Sequence, residues 1–183
     1  MLQNLEPDIW VCGKAIAGSM PCAVFGFTPE VEAGMRRVQV ENAGGHSGMG
    51  TTLSANALAL ACLEASLDEL MTPANYSAMD ACASHLSAGL ATLFAAASLD
   101  WHVSRVGARV EFGFGEAPRD GAQSERQALP ELEHAIHLYL LNRGVLLTPF
   151  HNMMLCSPVT TTAHADQLLT NLRTFLREVA AHE

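Results

Sequence analysis

Two short apolar runs bracket a stretch of small residues, and this arrangement constrains the fold more than any other feature of the chain. The first run is Asp8-Ile9-Trp10-Val11-Cys12 and the second is Cys22-Ala23-Val24-Phe25-Gly26-Phe27. Each has the length and side-chain type of a strand. The first ends at Gly13-Lys14, and Ala15, Ala17, Gly18 and Ser19 follow before Pro21 opens the second. Thr28-Pro29-Glu30 then reads as a helix start, with a hydroxyl cap, proline at the first helical position and an acid in the first turn. That helix is expected to be short, ending near Met35.

Further along, residues 42–50 form a glycine-rich loop, and Thr51 to Ser54 lead into an Ala/Leu-rich helix expected over about 55–71. Its apolar residues run nearly all round, the pattern of a helix buried between layers. Pro73 ends it, and a second long helix is expected over about 75–98. The style then changes. Trp101 to Val106 and Arg109 to Phe114 read as strands either side of Gly107-Ala108, and residues 116–123 as a polar loop. An amphipathic helix over 129–142 is stopped by Gly144. Residues 145–148 and 153–156 read as short strands, and a closing helix as 164–181. The first seventy or so residues thus predict α/β layers, and the remainder an α+β arrangement.

The chain has 183 residues, of which 49% are hydrophobic and 16% charged, enough for one good core or one core and part of another. A net charge of −9 repels phosphate backbones and anionic lipid, so neither nucleic acid nor membrane is an expected partner. No apolar stretch approaches the length of a bilayer span, and the first residues lack a signal-peptide pattern. The five cysteines are scattered without CxxC spacing. They read as reduced core residues, which predicts a cytoplasmic protein.

Ten residues are Lys or Arg, and Lys14 is the only lysine among them. Only a primary amine forms an imine with an aldehyde, so a lysine kept amid such a bias draws attention. A GC-rich genome depletes lysine too, and uniqueness alone does not single Lys14 out. Its setting adds more. An amine at the end of a buried strand, among small residues, is partly desolvated and open to a flat aromatic cofactor. The plainer reading is a lysine reaching into solvent from a strand end.

Other candidates carry less. His134 and His137 are three apart on a helix, yet no third ligand joins them and no metal is expected. Glu131 and Glu133 read as the same solvated face. Arg105 and Arg109 flank a turn where they suit either a substrate carboxylate or plain exposure. His151 reads as a packed or surface histidine rather than a catalytic one.

Residues 7–26 resemble the lysine segment of the class III (subgroup II) aminotransferases. In that segment Pro-Asp precedes a strand, then come Gly-Lys, small residues, Pro and a strand closing on Gly. Pro7-Asp8, Gly13-Lys14, Gly18, Pro21, Ala23 and Gly26 sit where the pattern puts them. Gly50-Thr51-Thr52-Leu53-Ser54-Ala55-Asn56-Ala57-Leu58 resembles a second motif of the family. Asn56 is kept there, while Ala55 and Ala57 replace the usual Gly and Pro. The resemblance implies an α/β fold, the C-terminal part of a fold-type I pyridoxal-phosphate-dependent transferase. Residues 1–74 would be the end of the large cofactor-binding domain and 75–183 the small α+β domain.

The resemblance also implies roles. Lys14 would hold pyridoxal 5′-phosphate and shuttle a proton between substrate and cofactor carbons. Thr52 would bind the cofactor phosphate, in these enzymes from the neighbouring subunit, so a homodimer is implied. The plainer reading of Thr52 is a helix N-cap, with Ser54 competing. Substrates would be a small-molecule amino donor and a keto or aldehyde acceptor. Gly144 to Asn152 resembles the glutamate-1-semialdehyde aminomutase-like branch, but Asn152 stands where an acid is expected of a mutase. The family's phosphate loop, ring-stacking aromatic and ring-nitrogen aspartate all lie upstream of the lysine, and only thirteen residues precede Lys14. The expectation is therefore a truncated chain, inactive alone. The alternative is a non-catalytic remnant acting as a dimerisation or binding module.

Overall fold

The structure is a computed structural model that describes residues 5–41, 50 and 52–180. It divides into two compact units, Met1–Thr72 and Pro73–Glu183.

In the first unit, strands β1 (Ile9–Gly13) and β2 (Ala23–Phe27) form an antiparallel pair, with Ile9 opposite Phe27 and Gly13 opposite Ala23. One 3-10 turn, Lys14–Ala17, follows β1 directly. Helix α1 (Pro29–Glu41) starts as the sequence predicts: the Thr28 hydroxyl accepts from the Val31 N–H at 3.4 Å. It runs past Met35 to Glu41, helped by an Arg36–Glu32 ion pair one turn apart. Helix α2 (Ala57–Ala65) continues into a π-turn, Ser66–Leu70.

The burial of this unit departs from expectation. β1 was expected to be buried, yet Ile9, Trp10 and Val11 are all exposed. α2 was expected between layers, yet Ala59 is its one buried residue, and α1 has none. The small buried set is Ile16, Ala17, Ala59 and Ser66. A two-stranded pair is marginal by itself, and among the described residues no third strand covers this one.

The second unit carries the main core. Helix α3 (Pro73–Ala96) opens on Pro73, so the proline starts this helix as well as ending the previous one. Strands β3 (Trp101–Val106), β4 (Arg109–Phe114) and β5 (Met153–Leu155) form an antiparallel sheet in the order β3-β4-β5. Helices α5 (Pro130–Leu141) and α6 (Thr162–Ala180) complete the layer with α3. A short α4 (Gly121–Gln127) lies between β4 and α5, capped by the Asp120 carboxylate accepting from the Gln123 N–H at 2.7 Å.

Alternation fixes which face of β4 is buried. Val110, Phe112 and Phe114 point into the core with Leu86, Leu90 and Phe94 of α3, and Leu168, Leu172 and Phe175 of α6. Trp101 stacks on Phe112 with ring centres 5.8 Å apart. Gly89 permits the close approach of α3 to α6, because a Cβ there would lie 2.4 Å from Leu169 Cδ1. Two expectations fail in this unit. Residues 145–148 form no strand, and the polar loop over 116–123 turns helical at Gly121.

Candidate functional site

Lys14 sits where β1 gives way to the 3-10 turn. Its backbone is left-handed (φ +60°), and Ser19 (φ +75°) ends the same stretch in the same region. Non-glycine residues rarely adopt this conformation, and it persists only where the surroundings enforce it. The enforcing contacts are visible. Ile16 and Ala17 are buried, Gly18 caps the turn with its N–H donating to Ala15 O at 3.3 Å, and Met20 N–H donates to Ala17 O at 3.0 Å. Beneath Gly18 lies the buried Ser66, 3.5 Å from where a Cβ would be.

An open cleft of about 500 Å³ lies over this turn, lined by Lys14, Ala15, Ser19, Met20, Pro21 and Cys22. The expected small neighbours are there. The expected desolvation is not: Lys14 is exposed, and the cleft walls come only from its own loop. Among the described residues no carboxylate or aromatic ring lines the cleft. Among the described residues Lys14 has no ion pair, so its amine is available to a small molecule.

Thr52 lies exposed in the turn ahead of α2. Neither it nor Ser54 caps that helix. Asn56 does, its side-chain oxygen accepting from the Ala59 N–H at 2.9 Å while its Nδ2 donates to Leu53 O at 3.1 Å. Ala55 is left-handed (φ +56°), a conformation glycine would adopt without strain. Among the described residues no hydrogen bond engages the Thr52 hydroxyl. Thr51 and most of the glycine-rich loop, residues 42–49, lie outside the described residues.

In the second unit, Arg105 is held by Asp80 at 2.7 Å and by Gly107 O, and Arg109 pairs with Glu111. Both arginines are thus already engaged. His151 is exposed and left-handed (φ +58°), and it borders a cavity of about 350 Å³ with His102 and Glu111. Asn152 is buried and donates from Nδ2 to Phe112 O at 3.3 Å. The Thr148 hydroxyl closes the turn around this pair by donating to Phe150 O and accepting from the Met153 N–H. His134 and His137 gather no further ligand, and among the described residues no three His, Cys, Asp or Glu side chains are placed to hold a metal. No helix among them is long and apolar enough to cross a membrane.

Comparison with known proteins gives a consistent picture. The family model described as aminotransferase class-III matches residues 1–176. A glutamate-1-semialdehyde 2,1-aminomutase of Desulfosudis oleivorans is 31% identical over 164 residues, which cover 89% of this chain and 36% of that protein. One from Anaeromyxobacter is 34% identical over 148 residues, covering 81% and 33%. A crystal structure of a glutamate-1-semialdehyde-aminomutase from Pseudomonas aeruginosa PAO1, in complex with PMP, superposes with a TM-score of 0.86 at 40% identity. That match covers 97% of this chain and 40% of the other. An omega-transaminase from Sphaerobacter thermophilus shares the fold at a TM-score of 0.78 and 21% identity. The chain thus spans about a third of the length of the curated relatives it matches.

Proposed function

From the premise that this chain belongs to the class-III aminotransferases, with the α/β fold of pyridoxal-phosphate-dependent transferases, we propose that Lys14 is the cofactor lysine of an amino-group transferase. The reaction class is transfer of an amino group from an amino acid or amine to a keto or aldehyde acceptor. One observation carries the reading. The only lysine of the chain stands at the mouth of a cleft lined by Ala15, Ser19 and Cys22, and among the described residues it makes no ion pair.

The residues present fit one end of the cofactor. A primary amine at a left-handed turn, flanked by Ala15 and Ser19, suits an aldehyde on a flat ring. Pyridoxal phosphate, when bound, supplies that aldehyde and an electron sink for the carbon that loses its proton. Lys14 Nζ would hold the cofactor through its aldehyde and, once released by the substrate amine, would carry the proton to and from the substrate carbon. The rigid turn beneath it, anchored by Ile16 and Ala17, fixes the root of the side chain. Thr52 offers its hydroxyl to the phosphate in the site of a second copy, which makes the active form a homodimer. Residues 1–74 serve as the end of the large domain and 75–183 as the small one.

A second reading, 2,1-aminomutase chemistry, is favoured by the names of the relatives and by the 40% identical structure. Asn152 weighs against it, since this side chain is buried and spent on Phe112 O. A substrate test separates them: a mutase isomerises glutamate-1-semialdehyde with no second substrate, whereas a transferase needs both donor and acceptor. We expect dependence on both.

Among the described residues the cleft holds no acid for a ring nitrogen and no aromatic to stack on a ring, and the chain spans about a third of its relatives' length. The 183-residue polypeptide alone is therefore expected not to turn over an amino donor when the cofactor is added. In the protein as isolated from its own cells, Lys14→Arg is expected to reduce amino transfer to background although the charge is kept. Activity retained by that variant would refute the role of Lys14.

A further inference from the structure

The second unit brings together two thiols that the Lys14 cleft does not use. Cys82 lies on α3 and Cys156 directly follows β5; both are buried and both are free. They line the same cavity of about 560 Å³, with Leu86, Leu147, Met154 and Leu168 among its other walls. Each is carried by fixed backbone. Cys82 is in the middle of a 24-residue helix, and the Cys156 N–H donates to Ala108 O at 3.0 Å. Leu146 and Leu155 line the cavity while remaining largely exposed, so it reaches solvent. The thiols also sense one another: burial pushes the Cys156 thiol up to about 11, and the neighbouring Cys82 thiol adds to the rise.

We propose that Cys82 and Cys156 form a modification site at which a peroxide converts the pair to a disulfide tying α3 to the end of β5. The Cys82 sulfur attacks a peroxide oxygen; an S–O bond forms, the O–O bond breaks, and the departing hydroxide takes the Cys82 proton and leaves as water. The Cys156 thiol then attacks the sulfenic sulfur. The S–S bond forms, the S–O bond breaks, and the leaving hydroxide takes the Cys156 proton as a second water. Two electrons pass from the sulfurs to the peroxide. A reducing cytosol would make such a bridge transient rather than structural.

The test treats the 183-residue chain with hydrogen peroxide and follows intact mass. The expected result is a loss of about 2 Da, reversed by dithiothreitol. Cleavage after glutamate isolates Cys82 in residues 70–111 and Cys156 in residues 134–178, and the bridge is expected to join these two peptides. A variant carrying Cys12→Ser, Cys22→Ser and Cys62→Ser leaves the core intact and should lose the same mass. Oxygen adducts without that loss, or a bridge to Cys12, Cys22 or Cys62, would overturn the proposal.

Discussion

Lys14 holds a left-handed backbone at φ +60°, a conformation that costs an L-residue about 1–2 kcal/mol. The strain separates what the side chain does for stability from what it does for chemistry. Lys14→Gly is expected to raise the unfolding free energy by roughly 1 kcal/mol in urea titrations while eliminating cofactor attachment. A loss of stability would show that Lys14 is a structural residue after all. Asn152 is the opposite case. It is left-handed too (φ +42°), but its buried amide satisfies Phe112 O, and Asn152→Ala is expected to cost about 1–3 kcal/mol by the same titration. Cys156 adds a pH dependence. Its thiol is raised from 9.0 to about 11 in the fold, so above pH 9 the unfolded chain ionises first and gains relative to the native state. Under reducing conditions the urea midpoint should therefore fall as pH rises from 9 towards 11, and Cys156→Ala should lessen that fall.

At the scale of elements, what was legible was what repeats or what breaks a repeat. β4 alternates strictly after Gly107, its partner β3 lies on the other side of that turn, and α3 and α6 show long helical patterns, so their existence and order follow from the residues. Residues 145–148 misled because Val-Leu-Leu-Thr has the composition of a strand. Strand identity needs a pairing neighbour, and here β5 pairs with β4 while Leu147 lines a cavity instead. α4 is not legible in the sequence because a short polar helix shows no apolar stripe, and its only signal is Asp120 as a cap. The hydroxyls of Thr52 and Ser54 look like caps for α2 in the sequence, but the role of Asn56 depends on Ala55 turning left-handed, which the sequence does not show. Asn56→Ala is expected to cost about 1 kcal/mol. In the core, Leu90→Ala should cost roughly 2–5 kcal/mol, since Leu90 is fully buried among α3, β4 and α6.

Across the whole chain, the two units differ in how well they bury their apolar residues. The second owns a core that spans a sheet and three helices, whereas the first leaves Ile9, Trp10, Val11, Phe25, Leu58 and Leu60 exposed. Limited proteolysis of the 183-residue chain is expected to remove the first unit and leave a resistant fragment starting near Pro73. Equal resistance of both units would contradict this. The candidate site was legible in part for the same reason. The Gly-Lys segment and its small neighbours are local, so the residues alone predicted them. The exposure of Lys14 was not predictable, because burial of a strand end depends on what covers it. That Cys82 and Cys156 line one cavity is a product of the fold that spacing does not reveal.

The central claim is that Lys14 carries the cofactor. The most direct measurement isolates the protein from its own cells, reduces it with borohydride and maps the modified peptide by mass spectrometry. One phosphopyridoxyl group is expected, on the peptide containing Lys14, and none in the Lys14→Arg protein. Native protein that carries no such group, or carries it on a residue other than Lys14, would contradict the account.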